Sequence, residues 1–388
     1  MSPVSAQHPR RSGAASLRRR GAAVGLVGSA CALALLGGPS SAWAEHAPAA
    51  AGIAAPQLRG QVALPSGGSF QGTAFGGLSG ITYDAERGVY YAISDDRSVL
   101  DEARFYTLRI DLSDGPAQAA VEVVATTTLR NGRGMTFAAN DIDAESIALT
   151  GRDTVLISSE GDACRGVPAF VREFDLHGAQ VATLRVPDHY RPAADRSTGI
   201  RNNAALESGG TTEDRTTYVT GAESALVQDG RSATTTTGSP ARLLRYRLAD
   251  RWLQGEFVYE VEPARAPVPA GGTAGNGLAD LLPLSSTRLL ALERGFSSGV
   301  GNTARLYAVD LAGATNVRGL QALPPDLAGV TPVSKTLVLD LATLGIRLDN
   351  LEGLTLGPRL ADGRRSLVLV SDDNFSATQQ TQFLLFAL

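Results

Sequence analysis

The stretch LEGLTLGPRLADGRRSLVLVSDD (351–373) reads as a β-strand opened by an acid, a Gly/Asp/Arg turn, and a second strand closed by acids. Four other stretches share the pattern: LSGITYDAERGVYYAISDD (78–96), AESIALTGRDTVLISSE (144–160), LESGGTTEDRTTYVTGAE (206–223) and ADLLPLSSTRLLALE (279–293). In an antiparallel hairpin the first residue of one strand lies beside the last residue of the next. The pairs expected to meet are therefore Glu145 with Glu160, Glu207 with Glu223, Asp280 with Glu293, and Glu352 with Asp372, while Ser79 stands opposite Asp95. Nine of these ten positions are carboxylates. Gathered on one face of a repeated structure, they mark a site.

The rest of each repeat supplies two more strands. A third strand carrying an aromatic residue follows each hairpin: RFYTLRIDL (104–112), FVREFDL (170–176), RLLRYRL (242–248), ARLYAVDL (304–311) and TQFLLFAL (381–388), all but the last also charged. A fourth, alternating strand closes four of the units: VEVVATTTL (121–129), QVATLRV (180–186), EFVYEVE (256–262) and KTLVLDL (335–341). The fifth unit has none after it, but QLRGQVALP (57–65) has the same character and precedes the first hairpin. An N-terminal strand that completes the C-terminal blade closes a ring and removes its free edges. No segment sustains a 3.6-residue period. The expectation is an all-β, single β-propeller of four-stranded blades spanning 57–388. Five blades are favoured; a degenerate sixth would have to lie in the long loops 187–204 or 263–277.

Residues 1–44 belong to a different class. Five arginines precede the apolar run 21–38, and Ser-Ala-Trp-Ala (41–44) has the small-residue pattern of a cleavage site. A cleaved signal peptide is expected there, then an Ala/Pro linker over 45–56, with the mature chain periplasmic or secreted and not inserted in the membrane. The five arginines leave with the signal peptide, taking the net charge from −4 to about −9. An acidic chain of this kind is a poor partner for nucleic acid or an anionic membrane surface. Only Cys164 remains after cleavage, so no intramolecular disulfide is available. A monomer acting on a small molecule is the expectation.

A crowd of carboxylates needs counter-charge, because like charges raise each other's pKa and unpaired burial is costly. One remedy is a hard divalent cation held by oxygen ligands, for which Ca2+ is the natural choice; the three histidines and lone cysteine left after cleavage give zinc or copper little to bind. The other is arginine, and Arg97, Arg165, Arg201 and Arg294 fall in the loops at the acidic rim. Asn202 and Asn374, in the same loops, add neutral oxygen and nitrogen donors.

The segments GGLSGITYD (76–84), YYAISDD (90–96), LLALERGF (289–296), DNLEGLTL (349–356) and LVSDDNF (369–375) resemble, in the same order, those of the exported phytase-like propeller family of bacteria. The resemblance implies hydrolysis of a phosphate ester by a calcium-dependent site. It implies metal ligation by Asp95, Glu145, Glu207, Glu223, Glu352 and Asp372, with Glu160 and Glu293 as the acids expected to act on water. Arg201, Arg294, Asn202 and Asn374 would then bind substrate, the two guanidiniums bridging the phosphate in a bidentate way. Phytate itself fits poorly, since Lys335 is the single lysine. Two alternatives stay open: a non-catalytic binding or scaffold propeller with a structural ion, and a metal-dependent lactonase-type hydrolase.

Three motifs point elsewhere and are set aside. Gly295-Phe296-Ser297-Ser298-Gly299 fits G-x-S-x-G, but that motif needs a strand–turn–helix and a later histidine, and the last histidine is His189. Asp141-Ile142-Asp143-Ala144-Glu145 opens like an EF-hand loop without its glycine and distal glutamate. Cys164 has no histidine partner in any recognisable spacing.

Overall fold

In a computed structural model, which describes residues 53–111 and 119–388, the chain forms five four-stranded antiparallel sheets and a two-stranded hairpin. Blade 1 comprises Leu78–Asp84, Val89–Ser94, Arg104–Asp111 and Ala120–Thr128. Blade 2 comprises Ala144–Leu149, Thr154–Ser159, Phe170–Asp175 and Gln180–Leu184. Blade 3 runs from Leu206–Thr211 through Thr217–Ala222 and Ser239–Arg247 to Trp252–Val261. Blade 4 runs from Ala274–Pro283 through Arg288–Ser297 and Gly301–Asp310 to Ser334–Asp340. Blade 5 holds Asn350–Arg359, Arg365–Asp372 and Gln380–Ala387, and its outer strand is Gln57–Pro65. The strand from the N-terminal side thus closes the ring, and there are five blades. The loops that could have hidden a sixth hold only the short 3-10 helix Asp188–Tyr190 and the first residues of the blade 4 strand Ala274–Pro283.

The first strand of each blade touches the first strand of both neighbours, so these five inner strands line a central channel. Their burial shows why hydrophobic periodicity is weak there: Leu78–Asp84 and Ala144–Leu149 are buried on nearly every residue, having packed blades on both sides. Outer strands alternate instead, as in Gln180–Leu184. Five apolar clusters fill the spaces between successive blades, for example Ile93, Phe105, Ile147, Ile157 and Phe174 between blades 1 and 2. At the narrowest part of the ring the backbones nearly touch. A Cβ on Gly80 would lie 2.7 Å from the carbonyl oxygen of Glu145, so no larger residue fits there without moving a neighbouring blade.

The signal-peptide and most of the linker reading (residues 1–52) fall outside the described residues. Among the described residues, no helix is long and apolar enough to cross a membrane.

Candidate active site at the acidic mouth of the channel

Each inner hairpin carries a bulge near the start of its first strand. The pairing register skips Ser79, Glu207, Ala279 and Glu352 in blades 1, 3, 4 and 5, and skips Glu145 and Ser146 in blade 2. A bulge leaves a residue unpaired and re-aims its side chain. The five equivalent positions are therefore Ser79, Glu145, Glu207, Ala279 and Glu352. Just beyond the partners paired before each bulge (Ser94, Ser159, Ala222, Glu293 and Ser371) come Asp95, Glu160, Glu223, Arg294 and Asp372.

This register corrects the expected pairing in blade 4. Leu278 pairs with Glu293 and Asp280 with Leu292, so Asp280 and Glu293 each sit one residue out of line with the acids of the other blades. In a strand, one residue of offset turns a side chain to the opposite face. Asp280 accepts backbone N–H bonds from Gly209 (3.1 Å), Leu281 (2.8 Å) and Leu354 (2.8 Å), tying blades 3, 4 and 5 together. Glu293 accepts bonds from Tyr259 Oη (2.9 Å), Lys335 Nζ (2.7 Å), Asn276 Nδ2 (2.7 Å) and the Glu262 amide (3.1 Å). Those partners come from blades 3 and 4 and the loop between them. The structure does not bring Glu293 into the acid ring, and its lone pairs are taken by the donors that hold it.

What blade 4 contributes instead is a cation. Arg294 Nη2 lies 2.8 Å from Glu352, 3.2 Å from Glu207 and 3.4 Å from Glu223. On the other side of the ring Arg97 Nε lies 2.8 Å from Asp143 Oδ1. That contact is an ion pair without hydrogen-bond alignment, because both oxygens of Asp143 still lack a hydrogen-bond partner. Two guanidiniums thus serve eight carboxylates: Asp95, Asp143, Glu145, Glu160, Glu207, Glu223, Glu352 and Asp372.

The deficit shows in the acidities. Burial, followed by the charges of Asp143 and Glu223, pushes Glu160 up to about 8; burial pushes Asp143 up to about 6, with Arg97 opposing. Burial and then neighbouring carboxylates hold Asp95, Glu145, Glu207 and Asp372 well above the ordinary range. Glu223 and Glu352 rise less, because Arg294 works against burial at both. Arg294 itself is raised by Glu352, Glu223 and Glu207 despite its burial.

Two groups of three acids have one oxygen each within 4.8 Å of one another: Asp143, Glu145 and Glu160, and Glu145, Glu207 and Glu352. Glu160 binds the Ala205 amide through Oε1 and leaves Oε2 buried without a partner, as are Oδ2 of Asp143 and Oδ1 of Asp95. Orphaned, buried, oxygen-only donors in shared reach fit a hard divalent cation. Asp143 is the member of this set that the hairpin pattern did not include. The signal for it was the EF-hand-like run 141–145, which leads from the loop into the first strand of blade 2.

The remaining expected residues are placed around the rim. Asp372 accepts the Asn374 backbone amide at 2.7 Å, and Asn374 is exposed. Asn202 accepts the Cys164 amide at 3.2 Å, and Arg201 donates to backbone carbonyls of Ala225 (3.0 Å) and Gly230. Both line a cleft of about 650 Å3 whose lining also includes Glu223 and Arg294. The doubled acids divide their work: Asp95 and Asp372 face the ring, while Asp96 pairs with Arg104 and caps residues 99–101, and Asp373 binds the amides of Gly77 and Phe375. The G-x-S-x-G stretch runs from a strand ending at Ser297 into one starting at Gly301, with no helix. Cys164 is an exposed free thiol.

A ring of five blades with an acid-lined channel mouth defines a β-propeller with an internal polar site. The chain belongs to the phytase-like family, whose model, described as esterase-like activity of phytase, matches residues 73–375. Curated protein sequences gave no match. Similar solved structures include a tail fibre of a Staphylococcus aureus phage (10% identity, 84% of this chain and 52% of that one, TM-score 0.37). They also include a beta-fructofuranosidase from Bombyx mori (10%, 84% and 62%, 0.40) and an S. cerevisiae assembly containing Dbp5 and Nup159 (12%, 86% and 95%, 0.33). The chain spans about half of the tail fibre and about three fifths of the beta-fructofuranosidase.

Proposed function

We propose that this chain is an exported, metal-dependent hydrolase of phosphate esters, acting as a monomer at the acidic mouth of the channel with Ca2+ as its ion. The observation that carries this reading is the excess of buried carboxylates over guanidiniums, with oxygens of Asp95, Asp143 and Glu160 left unsatisfied. A protein that gained nothing from those acids would lose little by replacing them with neutral residues. The family description supports a hydrolase in general terms.

Asp143 and Glu145 would hold the ion, with Glu207 and Glu352 reaching it from the adjoining group and Asp95, Glu223 and Asp372 completing the negative field. When bound, calcium supplies a Lewis-acid contact to a phosphoryl oxygen. Arg294 orients a phosphoryl group at the edge of the ring and offsets its charge; the carboxylates it already touches fix its guanidinium in place. Glu160, with one oxygen tied to the Ala205 amide and the other free, is placed to accept a proton from an attacking water. Glu293 takes no part in the chemistry.

The test is calcium titration of the purified chain, following melting temperature and turnover of 4-nitrophenyl phosphate together, with Glu160→Gln alongside. Calcium-dependent turnover that EDTA removes and Glu160→Gln lowers at least 100-fold is the expected result. Stabilisation by calcium with no turnover would favour a structural ion or a lactone substrate. No response to calcium would sink the proposal.

A further inference from the structure

The cleft formed where loops of blades 2 and 3 meet the edge of blade 4 is chemically unlike the ring it adjoins. Three arginines line it, Arg196, Arg201 and Arg294, against one carboxylate, Glu223. Its apolar lining includes Val227, Ala233, Ala274 and Phe296. Phe296 is the conspicuous member, 48% exposed where an aromatic side chain of the blade is otherwise covered. Strand alternation explains its position: Arg294 and Phe296 lie two residues apart in Arg288–Ser297 and so project to the same side. The chain therefore sets an aromatic face beside the guanidinium that edges the acid ring.

We infer that this cleft is a specificity site for esters carrying a single anionic group and a compact apolar or aryl body, with Phe296 as the residue that selects the body. Taking the anion to be a phosphoryl group rests on the hydrolase reading above. The anionic group meets Arg294, and the apolar portion lies along Phe296 toward Val227 and Ala233. The same layout disfavours polyphosphorylated ligands. Arg201 spends two of its donors on backbone carbonyls, Arg196 has its Nη1 on the Cys164 sulfur, and Arg294 is already contacted by three carboxylates. A ligand with many phosphates would bring more negative charge to the edge of the acid ring than these groups can offset. Exposed apolar surface inside a concave site with few fixed charges is the usual mark of a small-ligand subsite.

Binding of non-hydrolysable phosphonates to the calcium-loaded whole chain tests this, by calorimetry. Phenylphosphonate and methylphosphonate share the anion and differ only in the body. Covering a ring face against Phe296 should make phenylphosphonate about tenfold tighter. Phe296→Ala should shrink that gap to about twofold, chiefly by weakening phenylphosphonate, and Phe296→Trp should keep the gap. Equal affinity of the two phosphonates in the wild type, a gap that survives Phe296→Ala, no binding of either, or tighter binding of inositol hexakisphosphate than of phenylphosphonate would each overturn the assignment. Phenyl phosphate turnover in the same samples keeps the two readings apart. A phosphonate gap without turnover supports the cleft and refutes the hydrolase; turnover without a gap does the opposite.

Discussion

Replacing Arg294 with methionine keeps the approximate shape of the side chain and removes the charge that three buried glutamates share. Its Nη2 stands 2.8 Å from Glu352, 3.2 Å from Glu207 and 3.4 Å from Glu223. At an effective dielectric of about 20, one unit pair at about 3 Å is worth about 5 kcal/mol before desolvation is counted. Stranding buried charges by deleting their partner typically costs about 3–5 kcal/mol. Glutamates already pushed upward in pKa relieve part of that by taking up protons, so the net loss expected for Arg294→Met is about 3 kcal/mol at neutral pH without calcium. Urea unfolding in EDTA measures it, and Glu352→Gln supplies the control. In the wild type Glu352→Gln removes one side of a good pair. Added to Arg294→Met it removes a stranded charge, so the double variant should recover at least about 1 kcal/mol relative to Arg294→Met. An Arg294→Met protein within about 0.5 kcal/mol of wild type would refute the claim that Arg294 neutralises this half of the ring. So would a double variant less stable than either single one.

Other outcomes follow from the same geometry. Glu160 at about 8 and Asp143 at about 6 both have folded pKa values above their unfolded ones. The calcium-free folded state then holds protons the unfolded chain releases, and stability should fall as pH rises from about 4.5 to 8, with a shallower slope in Glu160→Gln. Melting temperatures across that range in EDTA check this, and a flat profile would contradict it. Calcium affinity should rise with pH over the same window, since the ligands must shed protons to bind. Glu293→Gln should cost roughly 1–3 kcal/mol through its lost bonds to Lys335 and its neighbours, with calcium affinity by titration calorimetry unchanged. Asp280→Asn should likewise lower the denaturation midpoint by roughly 1–3 kcal/mol, because its amide nitrogen would confront backbone N–H groups, again without altering calcium binding.

The ring itself was open to reading because it rests on repetition. Five hairpins with turn residues between strands, and an orphan strand before the first of them, leave few other ways to satisfy the backbone. The acids were harder to assign, for a physical reason. Glu145, Glu207 and Glu352 look the same in sequence as Asp280, yet a bulge one residue earlier in blade 4 puts Ala279 at their position. Sequence spacing counts residues along a strand, whereas the channel counts them by facing side, and a bulge separates the two scales. Arg294 was legible as a rim cation but not as the occupant of a position that is acidic in the other four blades. Asp96 and Asp373 could not be told from Asp95 and Asp372 without knowing which neighbour each side chain turns toward. Asp143 belongs to no hairpin, so no pairing argument could reach it.

The fifth blade joins segments from opposite ends of the fold. Gln57–Pro65 pairs with Gln380–Ala387, and Gln382 donates to Gln61 across 321 residues of chain. During synthesis the early strand must wait, with neither hydrogen-bonding edge paired, until its partner has emerged. The acid ring waits with it, because Glu352 and Asp372 lie in that same blade. If the ring takes the proposed ion, binding with the full ligand set comes last in assembly, since a chain ending just before residue 380 would carry all eight carboxylates but not the closed circle that sets them against one another.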